Sequence, residues 1–141
     1  MKILYTTQAT ATGGREGSAT TADGVLDVLL STPKEMGGPG GSGTNPEQLF
    51  ACGYSACFLG ALKFVASKAK ISITADTTVT GKVSFGPRDD GQGFGIEVQL
   101  TIRVPGMEST AVRDLVDQAH IVCPYSHATR GNIPVTLIVD S

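Results

Sequence analysis

One segment, from Asn45 to Ser67, constrains this chain more than any other. It opens on Asn45-Pro46-Glu47-Gln48. Asparagine is a favoured helix N-cap, proline fits the first helical position, glutamate suits the first turn, and glutamine falls at N3. The spacing predicts a helix running to about Ser67. From Leu49 to Val65 its residues are apolar or small on every face, Lys63 being the first charge. A helix that is apolar all round has to be covered all round. One layer of sheet in a small domain cannot do this, so a second subunit is expected to cover the rest.

The chain has 141 residues, which predicts a single domain over 1–141 with a core that needs no disulfide staples. Two clusters of its 18 glycines, at 13–17 and 37–43, read as loops. A net charge of −2 gives no basic footprint for nucleic acid or an anionic membrane. The apolar run near the N-terminus is too short for a signal-peptide core. The uncharged stretch from Gln48 to Leu62 is too short, and too marked by glycine and serine, for a membrane span. A soluble, cytoplasmic protein with reduced thiols is the expectation.

Around the central helix, residues 2–10, 18–22 and 25–30 read as strands of an antiparallel meander, broken by the Gly13–Gly17 loop. Residues 71–85 and 94–104 alternate as strands, with Asp90-Gly91 as the hairpin signal. Residues 109–121 carry apolar side chains at helical spacing on one side, and 133–139 read as a closing strand. The Gly38–Gly43 run matches a G-x-G-x-x-G pattern. It does not directly follow a strand and has no acidic residue about 20 positions on, so it reads as a flexible loop and not a nucleotide site.

There are three cysteines, Cys52, Cys57 and Cys123. An odd count in a reducing compartment argues against a structural disulfide framework and leaves at least one thiol free, metal-bound or reactive. Five helical residues rotate by about 140° net, so Cys52 and Cys57 face different ways. Cys57 lies about three turns into the helix, beyond the reach of the helix dipole. A thiol buried among apolar groups has a raised pKa and is inert, so a reactive Cys57 needs a cation brought to it. Pro124 breaks the chain after Cys123, leaving that thiol at a helix end or in a loop, where it can move. Simple packing is the competing reading for each cysteine, most of all for Cys52. A zinc site from His120, Cys123 and His127 with Cys52 or Cys57 fits no familiar ligand spacing, so no metal is expected.

Three segments, Ala11-Thr12-Gly13-Gly14-Arg15-Glu16-Gly17, Asn45 to Phe58, and Cys123-Pro124-Tyr125-Ser126-His127-Ala128-Thr129-Arg130-Gly131-Asn132, closely resemble the organic hydroperoxide resistance branch of the OsmC/Ohr family. They occur in order and with the expected spacing over nearly the whole chain. The resemblance implies an α+β fold in which two chains intertwine, antiparallel sheets wrapping long buried central helices, with active sites at the dimer interface. It implies that Cys57 is the peroxidatic cysteine and Cys123 the resolving one. It further implies that Arg15 holds the thiolate and Glu47 orients that arginine. No bound cofactor is implied. The substrates would be organic hydroperoxides, and the reductant an external dihydrolipoyl group, free or on a lipoylated protein. Cys52 and His127 depart from the residues more familiar in this branch, alanine and asparagine, without removing a catalytic group. The alternatives are a non-enzymatic thiol redox sensor built on the same cysteine pair, or a peroxidase of the OsmC branch with a different substrate range.

Overall fold

The computed structural model describes residues 1–140. They fall into two units, Met1–Leu49 and the remainder from Phe50. In the first, β1 (Ala9–Thr12), β2 (Ser18–Thr21) and β3 (Asp27–Leu29) form an antiparallel sheet in that order. The meander is as expected, but all three strands are shorter than their composition suggested, β1 and β3 most of all. Residues 1–8 form no regular structure, and Ile3, Leu4 and Tyr5 are 69%, 89% and 78% exposed. Strand-forming side chains make a strand only where a neighbour completes the backbone hydrogen bonds. Within the described residues β1 pairs with β2 only from Ala9 onward. At the other edge Asp23 accepts from Thr21 Oγ1 and from the Val25 N–H, holding a turn through Gly24, so β3 begins only at Asp27.

The second unit is built on α1 (Pro46–Lys68), whose first residues belong to the first unit. The Asn45 side chain accepts from the Gln48 N–H at 2.8 Å, which is the cap the sequence called for. β4 (Thr78–Pro87) and β5 (Phe94–Arg103) form the expected hairpin. β4 starts at Thr78 and not at residue 71, because β5 ends at Arg103, the partner of Thr78, and offers nothing further to pair with. After β5 come α2 (Ser109–Val122), α3 (Pro124–Thr129) and β6 (Val135–Asp140). β6 pairs with β5 in parallel, giving the order β4-β5-β6. The expected antiparallel pairing holds for β1–β3 and for the β4–β5 hairpin, and β6 departs from it. The helices between β5 and β6 form a crossover, which returns the chain in the same direction.

The core of this unit lies on one face of its sheet. Alternate residues of β5, Val98, Leu100 and Ile102, cluster with Tyr54, Phe58, Leu62 and Val65 of α1 and with Val112, Leu115, Val116 and Ala119 of α2. The sheet approaches α1 closely at Gly81 of β4, where a Cβ would lie 2.7 Å from Ser55 Oγ. By length and composition α1 would suffice to cross a bilayer, more than its uncharged stretch suggested. One face of it is nonetheless a core face, with Tyr54, Phe58 and Leu62 fully buried. The opposite face, bearing Cys52, Ala56, Gly60 and Phe64, is exposed within a single chain.

Replacing Asn45 by alanine leaves the Gln48 N–H without its partner. The expected cost is about 1 kcal/mol in denaturant unfolding.

Candidate functional site

Two constellations carry chemistry. The first lies in the loop between β1 and β2, a single 3-10 turn over Gly14–Glu16. Gly13 enters it with φ 72°, and Gly17 leaves it so close to Thr12 that a Cβ would sit 1.7 Å from the Thr12 carbonyl oxygen. Glycine at both ends permits this tight turn, which displays Arg15. The guanidinium grips the Glu47 carboxylate with both arms, Nη1 to Oε2 at 2.8 Å and Nη2 to Oε1 at 2.7 Å. This is the planar fork-on-fork geometry that arginine makes and lysine cannot. The hydrogen bonds hold Glu47 below the usual carboxylate range and push Arg15 further up. Both groups therefore stay ionised at neutral pH. The Asn45 cap fixes the first turn of α1, and with it Glu47.

The second constellation is the thiol pair. Cys57 on α1 and Cys123 have their Sγ atoms 3.6 Å apart, both as free thiols, and Cys123 is placed to donate to Cys57. A disulfide bond is about 2.05 Å long, so roughly 1.5 Å of approach closes it. Cys123 ends α2 in extended conformation, φ −63° and ψ 123°, and Pro124 starts α3 directly after it. The proline thus both stops one helix and begins the next. The sequence had suggested only the stop. Cys52 is exposed and takes no part.

The two thiols differ in access. Cys123 is fully buried, whereas Cys57 is partly exposed. A solute can reach only the latter. Burial pushes the Cys57 thiol up, and the neighbouring Cys123 adds to the rise. The Tyr125 backbone N–H, donating to Cys57, acts in the opposite direction. The net effect leaves the thiol protonated near neutrality within its own unit, so activation needs a cation.

Of the aromatic residues near Cys57 on α1, Tyr54 and Phe58 are sealed in the core. Phe50 is different. With Phe85, Phe94 and Tyr125, and with the charged Arg88, Asp89, Asp90 and Glu97, it lines an open groove of about 1310 Å³. Neither thiol lines this groove. Tyr125 links the two, its ring in the groove wall and its N–H on Cys57. Arg130 is exposed and donates to the His120 carbonyl at 2.8 Å, a structural role. His127 is exposed. Among the described residues no cluster of three His, Cys, Asp or Glu is arranged to hold a metal.

Sequence reasoning missed a hydrogen-bonded group beside the thiols. The Tyr54 hydroxyl lies 2.9 Å from Ser126 Oγ and 3.1 Å from Thr129 Oγ1, and Ser126 Oγ lies 2.8 Å from His120 Nδ1. The usable signal was Tyr54 itself, a polar tip on a helix predicted to be buried on all sides.

A thiol whose pKa is raised by folding binds its proton more tightly in the native state. Native stability is then complete below the ordinary thiol pKa of about 8.5 and declines as pH rises through the folded value. Urea midpoints of the reduced protein are expected to fall above pH 8.5, and to fall less in Cys57→Ala. Equal declines would show that Cys57 does not carry the effect.

The OsmC-like protein family matches residues 38–138. An organic hydroperoxide resistance protein of Xanthomonas axonopodis pv. citri is 57% identical over 136 residues, spanning 96% of this chain and 94% of that one. Organic hydroperoxide resistance protein OhrB of Bacillus subtilis is 46% identical, spanning 95% of this chain and 96% of its own. A crystal structure of an organic hydroperoxide resistance protein from Elizabethkingia anophelis matches with a TM-score of 0.93 at 51% identity, covering 100% of this chain and 99% of that one. In sequence and in fold alike, the chain belongs to the OsmC/Ohr family, in its organic hydroperoxide resistance branch.

Proposed function

We propose that this protein is a thiol peroxidase that reduces organic hydroperoxides to alcohols. The observation that carries the reading is the thiol pair: a partly exposed Cys57 with a buried Cys123 3.6 Å from it. In this reading Arg15, steered by Glu47, supplies the cation that holds Cys57 as a thiolate. The thiolate attacks the distal oxygen of ROOH and the O–O bond breaks. Cys57 becomes a sulfenic acid, and the alkoxide, its charge stabilised by Arg15, takes up from solvent the proton that the Cys57 thiol gave up on ionising and leaves as ROH. Cys123 then attacks the Cys57 sulfur, forming the disulfide and expelling water, before a second peroxide can drive Cys57 to the sulfinic acid. An external dithiol of the dihydrolipoyl type, free or on a lipoylated protein, resets the pair by exchange. No bound cofactor takes part.

The aromatic part of the groove, around Phe50 and Tyr125, supports alkyl and fatty-acyl hydroperoxides over hydrogen peroxide as the substrates. The uncovered face of α1 supports a homodimer, since a helix face with Phe64 at 52% exposure gains by burial against a second copy. A cytoplasmic setting is part of this reading, since a dithiol that cycles needs a reducing compartment.

The test is steady-state turnover of cumene hydroperoxide with dihydrolipoamide. Fast multiple turnover is expected, with Cys57→Ser reduced to background. Cys123→Ser is expected to consume about one equivalent and then stall, its Cys57 over-oxidised by mass spectrometry. One stoichiometric oxidation by the native protein, without turnover, would point instead to a redox sensor. Arg15→Ala is expected to raise the kinetic pKa of Cys57 by about 1–3, the effect of losing an adjacent opposite charge. An unchanged pKa removes Arg15 from that role.

A further inference from the structure

The hydrogen-bonded group beside the thiols has an ordered geometry. Tyr54 stands three residues before Cys57 on α1, and Ser126 three residues after Cys123 on α3. Residues three apart share a helix face. Each thiol-bearing segment therefore turns one hydroxyl toward the other, and the two hydroxyls meet at 2.9 Å. Thr129 Oγ1 completes the contact to Tyr54 at 3.1 Å, and His120 Nδ1 continues it from Ser126 at 2.8 Å, so α1, α2 and α3 are tied together. Tyr54 and Ser126 are fully buried.

Packing alone does not call for this arrangement. Phenylalanine at 54 would keep the ring contacts with Phe50, at 6.0 Å, and Tyr125, at 5.7 Å. Hydroxyls sealed from water cost stability unless every one is paired, and once paired they fix a single geometry. Here they are paired. Burial and the charge of Arg130 lower the His120 pKa against the opposing pull of Asp117, keeping the ring neutral. Thr129 Oγ1 donates its one proton to the Ser126 carbonyl at 3.3 Å, so the consistent run of donors goes from a neutral His120 Nδ1–H to Ser126, from Ser126 to Tyr54 and from Tyr54 to Thr129. The Ser126–His120 contact is not a nucleophile and its base, because Ser126 is closed to any substrate.

We propose that Tyr54 and Ser126 are positioning residues for disulfide closure, pinning α3 to α1 so that Cys123 stays within reach of the Cys57 sulfenic acid. The inference rests on the peroxidase reading above and adds the element that sets its second step. In that step the Cys123 sulfur bonds to the Cys57 sulfur and the S–O bond breaks. The oxygen leaves as water, carrying the proton of the Cys123 thiol. Without the tie, α3 and the thiol at its start gain freedom, and a second peroxide competes better for the sulfenic acid.

The experiment compares native protein, Tyr54→Phe and Ser126→Ala in single turnover with cumene hydroperoxide and no reductant. Peroxide loss and disulfide are followed separately, the latter by acid quench, alkylation and mass spectrometry. The ratio of disulfide formation to peroxide consumption is expected to fall about tenfold in each variant, matching the loss of one buried hydrogen bond. Sulfinic acid at Cys57 is expected to rise with excess peroxide. An unchanged ratio in a folded variant overturns the proposal. So does equal slowing of both steps, which would mark general loosening. If Tyr54→Phe does not fold, Ser126→Ala decides. A parallel arm closes the pair with diamide, which oxidises two thiols to a disulfide without peroxide. Native protein that closes with diamide but not with hydroperoxide defeats the peroxidase reading alone. Slower diamide closure in the variants would still uphold the positioning role, and closure at the native rate would overturn it.

Discussion

Burial of the Tyr54–Phe58–Leu62 face of α1 fixes the rest of the second unit. That face meets alternate residues of β5 and the apolar stripe of α2, and each of these large side chains contributes roughly 1.5–3 kcal/mol. The same packing determines where Cys57 stands, since it is one residue from Phe58 on the same helix. It also brings in α2, and α2 ends on Cys123. The 3.6 Å between the sulfurs is thus a by-product of core packing, trimmed by a break in the chain and by a few buried hydroxyls.

The energetic difficulty of the site is the usual one for a reactive thiol. Partial burial of Cys57 disfavours the thiolate that the proposed mechanism requires. One backbone N–H, from Tyr125, offsets part of this. A permanent neighbouring cation would offset more, at the risk of a standing reactive sulfur. In the proposed mechanism that cation is Arg15, on a glycine-edged loop and held by its own carboxylate.

Much of this was legible in the sequence, and the reasons are local. The Asn45-Pro46 start of α1 could be read because capping depends on a few adjacent residues. The Cys57 and Arg15 motifs could be read because their family pattern is dense. What could not be read depends on partners distant in the chain. Residues 2–8 have strand composition but no strand beside them within the described residues. β6 has strand composition too, yet its direction follows from how α2 and α3 carry the chain back. The short α3 was hidden because a proline after Cys123 looks like a stop, though it is equally good as a first helical residue. The Tyr54–Ser126 contact joins positions 72 apart in sequence, and no periodicity reports such a pair.

The parallel pairing of β6 with β5 has a consequence for how the protein acquires its chemistry. Parallel neighbours cannot be zipped from a tight turn. The whole stretch from Arg103 to Val135 has to loop out and return before the first ladder bond forms. Contacts of such long range form late and slowly in folding. The segment that loops out is the one carrying Cys123. A chain still emerging from the ribosome can therefore build the α1–hairpin layer while its second sulfur is far from the first. The two sulfurs become neighbours only after that stretch has folded back onto α1 and β5, so a nascent chain holds Cys57 before Cys123 stands beside it.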